Sequence, residues 1–178
     1  MNAPREGAEG AVRRIHSAEG APLDALVDLL IDVVNGGASV GFLAPLSRDR
    51  ATGYWSQLLA SLGGALALWV VETEGRLVGS VQLALCEKEN GRHRADLQKL
   101  VVMRAHRGRG IGTTLLAAAE SFARAERRCL LVLDTEAQSV AERVYQRHGW
   151  QRVGEIPTYA ARTDGELWAT AYYYKQLT

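Results

Sequence analysis

A mixed α/β sheet with helices on both faces is the fold class this sequence predicts, and three observations predict it. Between residues 95 and 148 a strand, an amphipathic helix, a short apolar run and a second helix follow in succession. Such a crossover returns the chain to the same end of the sheet and so implies parallel pairing. On either side lie pairs of β-rich runs joined by turn residues around Gly75 and around Asp164-Gly165, which imply antiparallel hairpins. The 178 residues, 47% hydrophobic and 23% charged, suit one globular domain with a sizeable core.

Residues 1–10, "MNAPREGAEG", are polar and glycine-rich and lack the apolar run of a signal peptide. They are expected to be a disordered terminus ahead of a single domain over 11–178. "AVRRIHS" (11–17) reads as a first strand with weak alternation. From Pro22, the residues Leu26, Leu29, Leu30, Val33 and Val34 recur at helical spacing, with proline in the first turn and Gly36-Gly37 as the stop. A second helical pattern over about 49–62 places Tyr54, Leu58 and Leu62 on one side and ends at Gly63-Gly64. "LALWVVETEGRLVGSVQLALC" is a hairpin and "RADLQKLVVM" a third strand. The helix that follows carries Ile111, Leu115, Ala118 and Phe122 and ends in the basic cluster 124–128, which suits a helix C-terminus. "CLLVLD" is continuously apolar, the pattern of a strand buried on both faces. Ser139-Val140-Ala141-Glu142 reads as a capping box opening a short helix closed by Gly149, and a final hairpin surrounds Asp164-Gly165.

Composition excludes several function classes. Lys+Arg and Asp+Glu balance at 21 to 20, so no global field draws the chain to nucleic acid or an anionic membrane, and no apolar run is long enough to span a bilayer. Cys86 and Cys129 form no CxxC pair and read as buried strand cysteines, which points to a reducing, cytoplasmic setting. His16, His93, His106 and His148 match no metal-ligand spacing, so no metal is expected.

The stretch "RAHRGRGIGTTLL" carries the chemistry. Glycines just before a helix let an anion approach unpaired amides and the positive end of the helix dipole. The loop is not a P-loop, because Gly108 to Gly112 leads to Thr113-Thr114 without the required lysine. Nor is it a dinucleotide fingerprint, because the third glycine comes one place early. An RGG-type nucleic-acid segment would be repeated and interleaved with aromatics, whereas this one occurs once. A glycine-rich turn without a ligand remains open on the three glycines alone.

The run "QKLVVMRAHRGRGIGTTLL", with Arg107-x-x-Gly110-x-Gly112 after a strand, resembles the acyl-CoA motif of the GNAT N-acetyltransferase superfamily. "SVAERVYQRHGWQRVGE" resembles that superfamily's second conserved block. The segments "NGGASVGF", "QLALCEKENG", "RADLQKLVV", "LDTEAQSVAE" and "YYYKQL" are similar to the bacterial tabtoxin-resistance acetyltransferases. The resemblance spans residues 11–178. It implies a mostly antiparallel sheet of about seven strands containing one splayed parallel pair.

It also implies acetyl-CoA as co-substrate, held by Arg107, Gly108, Arg109, Gly110, Ile111, Gly112 and Thr113 at its pyrophosphate and by the backbone of Leu100, Val101, Val102 and Met103 along its pantetheine arm. An amide of that strand would polarise the thioester carbonyl. Tyr145 takes the position of the general acid facing the sulfur. Asp96 and Asp134 take the positions of an acid pair that removes the proton of the acceptor amine through water, since an alkylamine of pKa about 10.4 is mostly protonated at pH 7. The family residue at Asp96 is a glutamate, and the shorter side chain favours the water relay.

Asn35, Gly36, Ser39, Phe42, Asp96, Asp134 and Tyr159 are the expected acceptor-binding residues, with Trp55, Trp168 and Tyr172 as further candidate aromatic walls. The expected acceptor is a small amino-acid-like amine or an antibiotic or toxin, implying a resistance role. No nucleic-acid or membrane partner is expected, and the protein would be a monomer or homodimer. Two alternatives are acetylation of a protein N-terminus or lysine, and a non-catalytic CoA- or toxin-binding protein.

Overall fold

A computed structural model of the chain describes residues 10–178, so the expected disordered terminus lies outside the described residues except for Gly10. The elements run β1 (Ala11–Ile15), α1 (Leu23–Asn35), α2 (Arg48–Ala60), β2 (Leu66–Thr73), β3 (Arg76–Leu85), β4 (Arg94–Val102), α3 (Ile111–Ala125), β5 (Leu130–Glu136), α4 (Val140–Arg147), β6 (Gln151–Ala161) and β7 (Leu167–Gln176). The strands form one sheet in the order β1-β2-β3-β4-β5-β7-β6. Every neighbouring pair is antiparallel except β4 and β5.

Turn chemistry explains the first hairpin. Glu74 (φ 53°) and Gly75 (φ 73°) both adopt positive φ, and a two-residue turn of that kind matches the right-handed twist of the strands it joins. On one face of the sheet, α1 and α2 bury Leu26, Leu29, Val33 and Trp55 against Leu68, Val70, Leu77 and Val101. On the other, α3 and α4 bury Leu115, Leu116, Ala119 and Tyr145 against Trp69, Leu83, Leu97, Leu131 and Tyr173. Lys175 ties the last strand to both of these helices, donating to Glu120 at 2.7 Å and to the carbonyl of His148 at 2.8 Å.

Four local expectations need correction. The buried side of α2 is Ala51, Trp55, Leu58 and Leu59, while Leu62 lies beyond the helix end and Tyr54 turns towards the sheet. β5 alternates, with Leu131 and Leu133 buried and Asp134 exposed, because its pairing with β4 is short and its far end opens to solvent. Cys129 is exposed and Cys86 half-buried; each stands one residue outside a strand. Ser139 is the N-cap of α4 but its side chain caps nothing. Glu142 instead reaches the amide of Gln138, while also accepting from Arg152 Nε at 3.2 Å and the Tyr173 hydroxyl at 2.6 Å. A buried carboxylate gains more from charge-assisted partners than from one backbone amide, so the tertiary contacts draw it off the local box.

Two irregularities in β4 position the site. Its parallel hydrogen bonding to β5 covers only Arg94–Asp96 against Leu130–Val132, after which the strands diverge. On its other edge Val101 lies opposite Ser80 and Gln98 opposite Gln82, leaving Lys99 and Leu100 together against Val81. Lys99 has φ 45°. This is a β-bulge, which bends a strand and re-aims the side chain it carries.

Candidate active site

At the first turn of α3, the loop before it is built to present amides. Gly108 (φ 75°) and Gly110 (φ 81°) occupy the left-handed region that disfavours a side chain, and beyond either Cα nothing lies within 4 Å of a Cβ position. The N-cap of α3 is Gly110, without a side-chain cap, and the first amide to bond back into the helix is that of Thr114, to Gly110 at 3.1 Å. The amides of residues 108–113 therefore have no acceptor among the described residues. A cleft of about 290 Å³ adjoins Arg109, Gly110 and Ile111. Arg107 leans back, its Nε donating to the Val102 carbonyl at 3.3 Å, and the Thr113 hydroxyl meets His148 Nε2 at 3.0 Å, joining the start of α3 to the end of α4. Side chains here organise the loop, and its open donors are backbone.

From this loop the gap between β4 and β5 leads inward. Past Asp96, β4 has no partner on its β5 side, so the backbone of Leu100, Val101 and Val102 runs beside an unfilled edge. Such an edge accepts an extended amide-bearing chain as an added strand would. Tyr145 on α4 is 6% exposed, with its ring edge-on to Trp150 at 5.8 Å between centroids and tilted against Tyr173 at 6.2 Å. Its hydroxyl makes no hydrogen bond to the described residues. Burial, reinforced by the charge of Asp134, pushes its phenol well above the ordinary tyrosine range. The group stays protonated at neutral pH.

On the α1–α2 face, Asp96 pairs with Val132, and Asp134 stands two residues further along β5 on the same side. Burial raises the Asp96 carboxyl above its ordinary range; Arg94 opposes this and Asp134 adds to it. Asp134 also faces Tyr172 across the β5–β7 ladder, and the Tyr172 ring meets Tyr159 edge-on at 5.7 Å. The neighbouring Tyr159 hydroxyl pushes the Tyr172 phenol up to about 12. Phe42 and Tyr54 pack edge to face at 5.2 Å, and Gln82 donates to the Tyr54 hydroxyl at 2.9 Å.

The expected acceptor residues separate into two groups. Phe42, Asp96, Asp134 and Tyr159 are linked on this face, Phe42 through Lys99, Asp96 through Asp134 and Tyr159 through Tyr172. Asn35 and Gly36 have contacts within the scaffold: the Asn35 side chain, which also lines a cavity of about 360 Å³, accepts from the Leu46 amide at 2.9 Å, and the Gly36 Cβ position falls 2.3 Å from Arg104 Cδ. Arg104 is held there by Asp32 at 2.9 Å. Ser39 is half-buried in the same loop. Trp55 is core at 1% exposure and Trp168 donates to the Ala137 carbonyl, so neither is a free wall.

Sequence reading missed Lys99, Tyr54 and Gln82. The bulge aims Lys99 at this face, where its ammonium lies 5.3 Å from the Tyr54 ring centroid and 5.8 Å from that of Phe42. Burial pulls it below the ordinary lysine range, against the attraction of Asp134. A signal was present: adjacent Gln98 and Lys99 interrupt the alternation Ala95, Leu97, and two successive polar residues in an alternating strand mark a shift of phase.

Among the described residues no helix is long and apolar enough to cross a membrane, and no cluster of three or more His, Cys, Asp or Glu could hold a metal. The chain is 36% identical over 89 residues to N-acetyltransferase 8 of Rattus norvegicus, a match covering 49% of this chain and 40% of that protein. The chain thus spans less than half of that relative's length. Its fold is shared with ribosomal-protein-alanine N-acetyltransferase from Brucella melitensis (TM-score 0.73, 23% identity, 94% of this chain and 99% of that one). It is shared equally with the putative acetyltransferase YncA from Salmonella typhimurium, solved with its cofactor acetyl-CoA (TM-score 0.73, 18% identity, 95% and 94%). Residues 40–150, which hold the bulge, the glycine loop and Tyr145, match the acetyltransferase (GNAT) family, and the chain belongs to that family.

Proposed function

We propose that this protein transfers an acetyl group from acetyl-CoA directly to the amine of a small acceptor, amino-acid-like or an antibiotic or toxin, as in the tabtoxin-resistance enzymes it resembles, with residues 11–178 as one transferase domain. The observation that carries this reading is Tyr145, a buried tyrosine whose hydroxyl bonds to none of the described residues and feels the charge of Asp134 where β4 and β5 have parted. The ring is buried while the hydroxyl is not sealed off with it, which suits a group whose partner arrives with a ligand.

The residues present fit acetyl-CoA. Six consecutive amides, residues 108–113, are free to cradle a pyrophosphate at the positive end of α3, and the unpaired edge of β4 suits the pantetheine amides. When bound, acetyl-CoA would supply an acyl thioester activated towards amines. The chain's own groups then divide the proton traffic. Asp96 and Asp134, on one face, take the proton of the acceptor ammonium through water, and neutralising an alkylamine at pH 7 costs on the order of 4–5 kcal/mol without such help. The raised Asp96 carboxyl is a stronger base than an ordinary aspartate. Tyr145 Oη holds the proton that the departing sulfur needs.

Calorimetry with acetyl-CoA, followed by a thiol-release screen over amino acids, polyamines, aminoglycosides and peptides, tests the reading. Expected are micromolar binding and turnover of a small amine. Peptide turnover alone would move the acceptor to a protein terminus or lysine. Binding without any turnover would leave a CoA-binding protein, and no binding would remove the donor.

A further inference from the structure

The acceptor face is not uniformly acidic. Asp96 and Asp134 offer negative charge suited to an incoming ammonium, yet Lys99 sets a positive charge into the same opening. Its Nζ lies over Tyr54 at 5.3 Å and Phe42 at 5.8 Å and 3.6 Å from the Cβ position of Gly41, whose φ of 89° keeps the loop close without a side chain. Among the described residues, no carboxylate lies within 4.0 Å of it and it donates no hydrogen bond. Lysine is seldom half-buried in this way, because its ammonium carries three donors and a strong hydration shell. Two aromatic rings at these distances replace only part of that hydration.

The bulge shows that the placement is specific. In a regular strand Lys99 would point to the opposite face from Gln98; the extra residue against Val81 turns it to the same side as Asp96. A cation within the field of Asp134, on the same side of β4 as Asp96, disfavours a polyamine or an aminoglycoside, which would bring a second positive charge against it. It is right for an amine that carries an anion.

We propose that Lys99 is the anchor for a carboxylate of the acceptor, so that the substrate is an amino acid or a carboxylated amine, its ammonium at Asp96 and Asp134 and its carboxylate at Lys99 between Phe42 and Tyr54. The inference rests on the acetyltransferase reading and narrows its acceptor. Lys99 is then a specificity-determining residue, and its natural partner is the ligand.

Two measurements test it. In the first, kcat/KM is compared for matched pairs that differ in the carboxylate alone: L-phenylalanine against phenethylamine, L-methionine against 3-(methylthio)propylamine, and L-lysine against cadaverine. A charge-assisted hydrogen bond corresponds to a preference of about 10- to 100-fold for the acid. That acid-to-amine ratio should collapse by about the same factor in Lys99→Met and be partly kept in Lys99→Arg, the difference appearing in KM. A ratio near one in the natural protein, or one unchanged by Lys99→Met, overturns the anchor while leaving the transferase reading in place.

The second measurement needs neither turnover nor a folded variant. In protein labelled with 15N at lysine, the Lys99 Nζ resonance is followed on adding N-acetyl-L-phenylalanine or the uncharged N-acetylphenethylamine. A shift with the acid alone is expected. Equal responses, or none, overturn the anchor. A selective shift in a protein that turns over no amine keeps the anchor and overturns the transferase reading instead.

Discussion

Along residues 108–113 the site is made of backbone: six free amides, two glycines at positive φ, and arginines that lie along the surface or lean back on β4. Across β4, the acceptor side is made of side chains drawn from separate elements, with Phe42 from the α1–α2 loop, Tyr54 from α2, Lys99 from the bulge and Asp134 from β5. A backbone-built site tolerates changes of side chain and fails when φ changes. A side-chain-built site behaves the other way round. Tyr145 belongs to neither, since its ring serves the core while the proposed reading gives its hydroxyl to the chemistry.

That contrast can be broken most sharply at Tyr145. Tyr145→Phe keeps the ring contacts with Trp150 and Tyr173 and removes a hydroxyl that bonds to none of the described residues. Steady-state kinetics at a pH where chemistry limits should show kcat lower by about 10²-fold or more, with urea unfolding little changed. An equal rate would reduce the residue to packing.

Next in size are two carboxylates displaced in opposite directions. With Asp96 as the proposed base, Asp96→Asn should lower kcat by about 10- to 100-fold and remove the rise of activity with pH, because a base works only once ionised and the raised carboxyl would lose activity as pH falls through its folded-state value. Its stability contribution has the reverse sign: it is complete below the ordinary aspartate range and is lost as pH rises through the folded-state value. Glu142 is lowered. Burial acts to raise it, but the Tyr173 hydroxyl, the Gln138 amide and Arg152 together outweigh that, so its contribution is present above the ordinary glutamate range and is lost as pH falls through the folded-state value. Glu142→Ala should cost about 1–3 kcal/mol of stability at neutral pH, by chemical denaturation, and flatten the acid limb of the stability profile.

The smallest effects compare the loop with itself. Gly110→Ala places a side chain at φ 81°, which costs about 1–2 kcal/mol and should weaken acetyl-CoA binding by several-fold in calorimetry. Arg109→Gln removes an exposed charge worth about 0.3–1 kcal/mol, so affinity should fall by no more than about fivefold and the loss should fade with salt. An arginine effect larger than the glycine effect would mean that the donor side is read by charge.

Much of the fold was legible from residue spacing. The Leu26 to Val34 stripe, the Glu74-Gly75 turn and the run after Gly112 each depend on neighbours within a few positions, and local chemistry decides them. The donor loop was legible for the same reason. The acceptor side was not: Lys99 matters through a phase shift in β4, and Tyr54 and Gln82 through a contact between residues 28 apart. Glu142 shows the limit from the other direction, since its local pattern named a capping box that Tyr173 and Arg152 override.

Sequence by itself determined the order and type of the elements, the hairpins and the glycine-bearing start of α3, because backbone preferences and apolar periodicity act over one or two turns of chain. Only the tertiary structure decided how far β4 and β5 stay paired, which way the bulge aims Lys99, and that the charge of Asp134 reaches both Asp96 and Tyr145. Those outcomes are set by burial and charge between residues far apart in the chain, and no local window contains both partners.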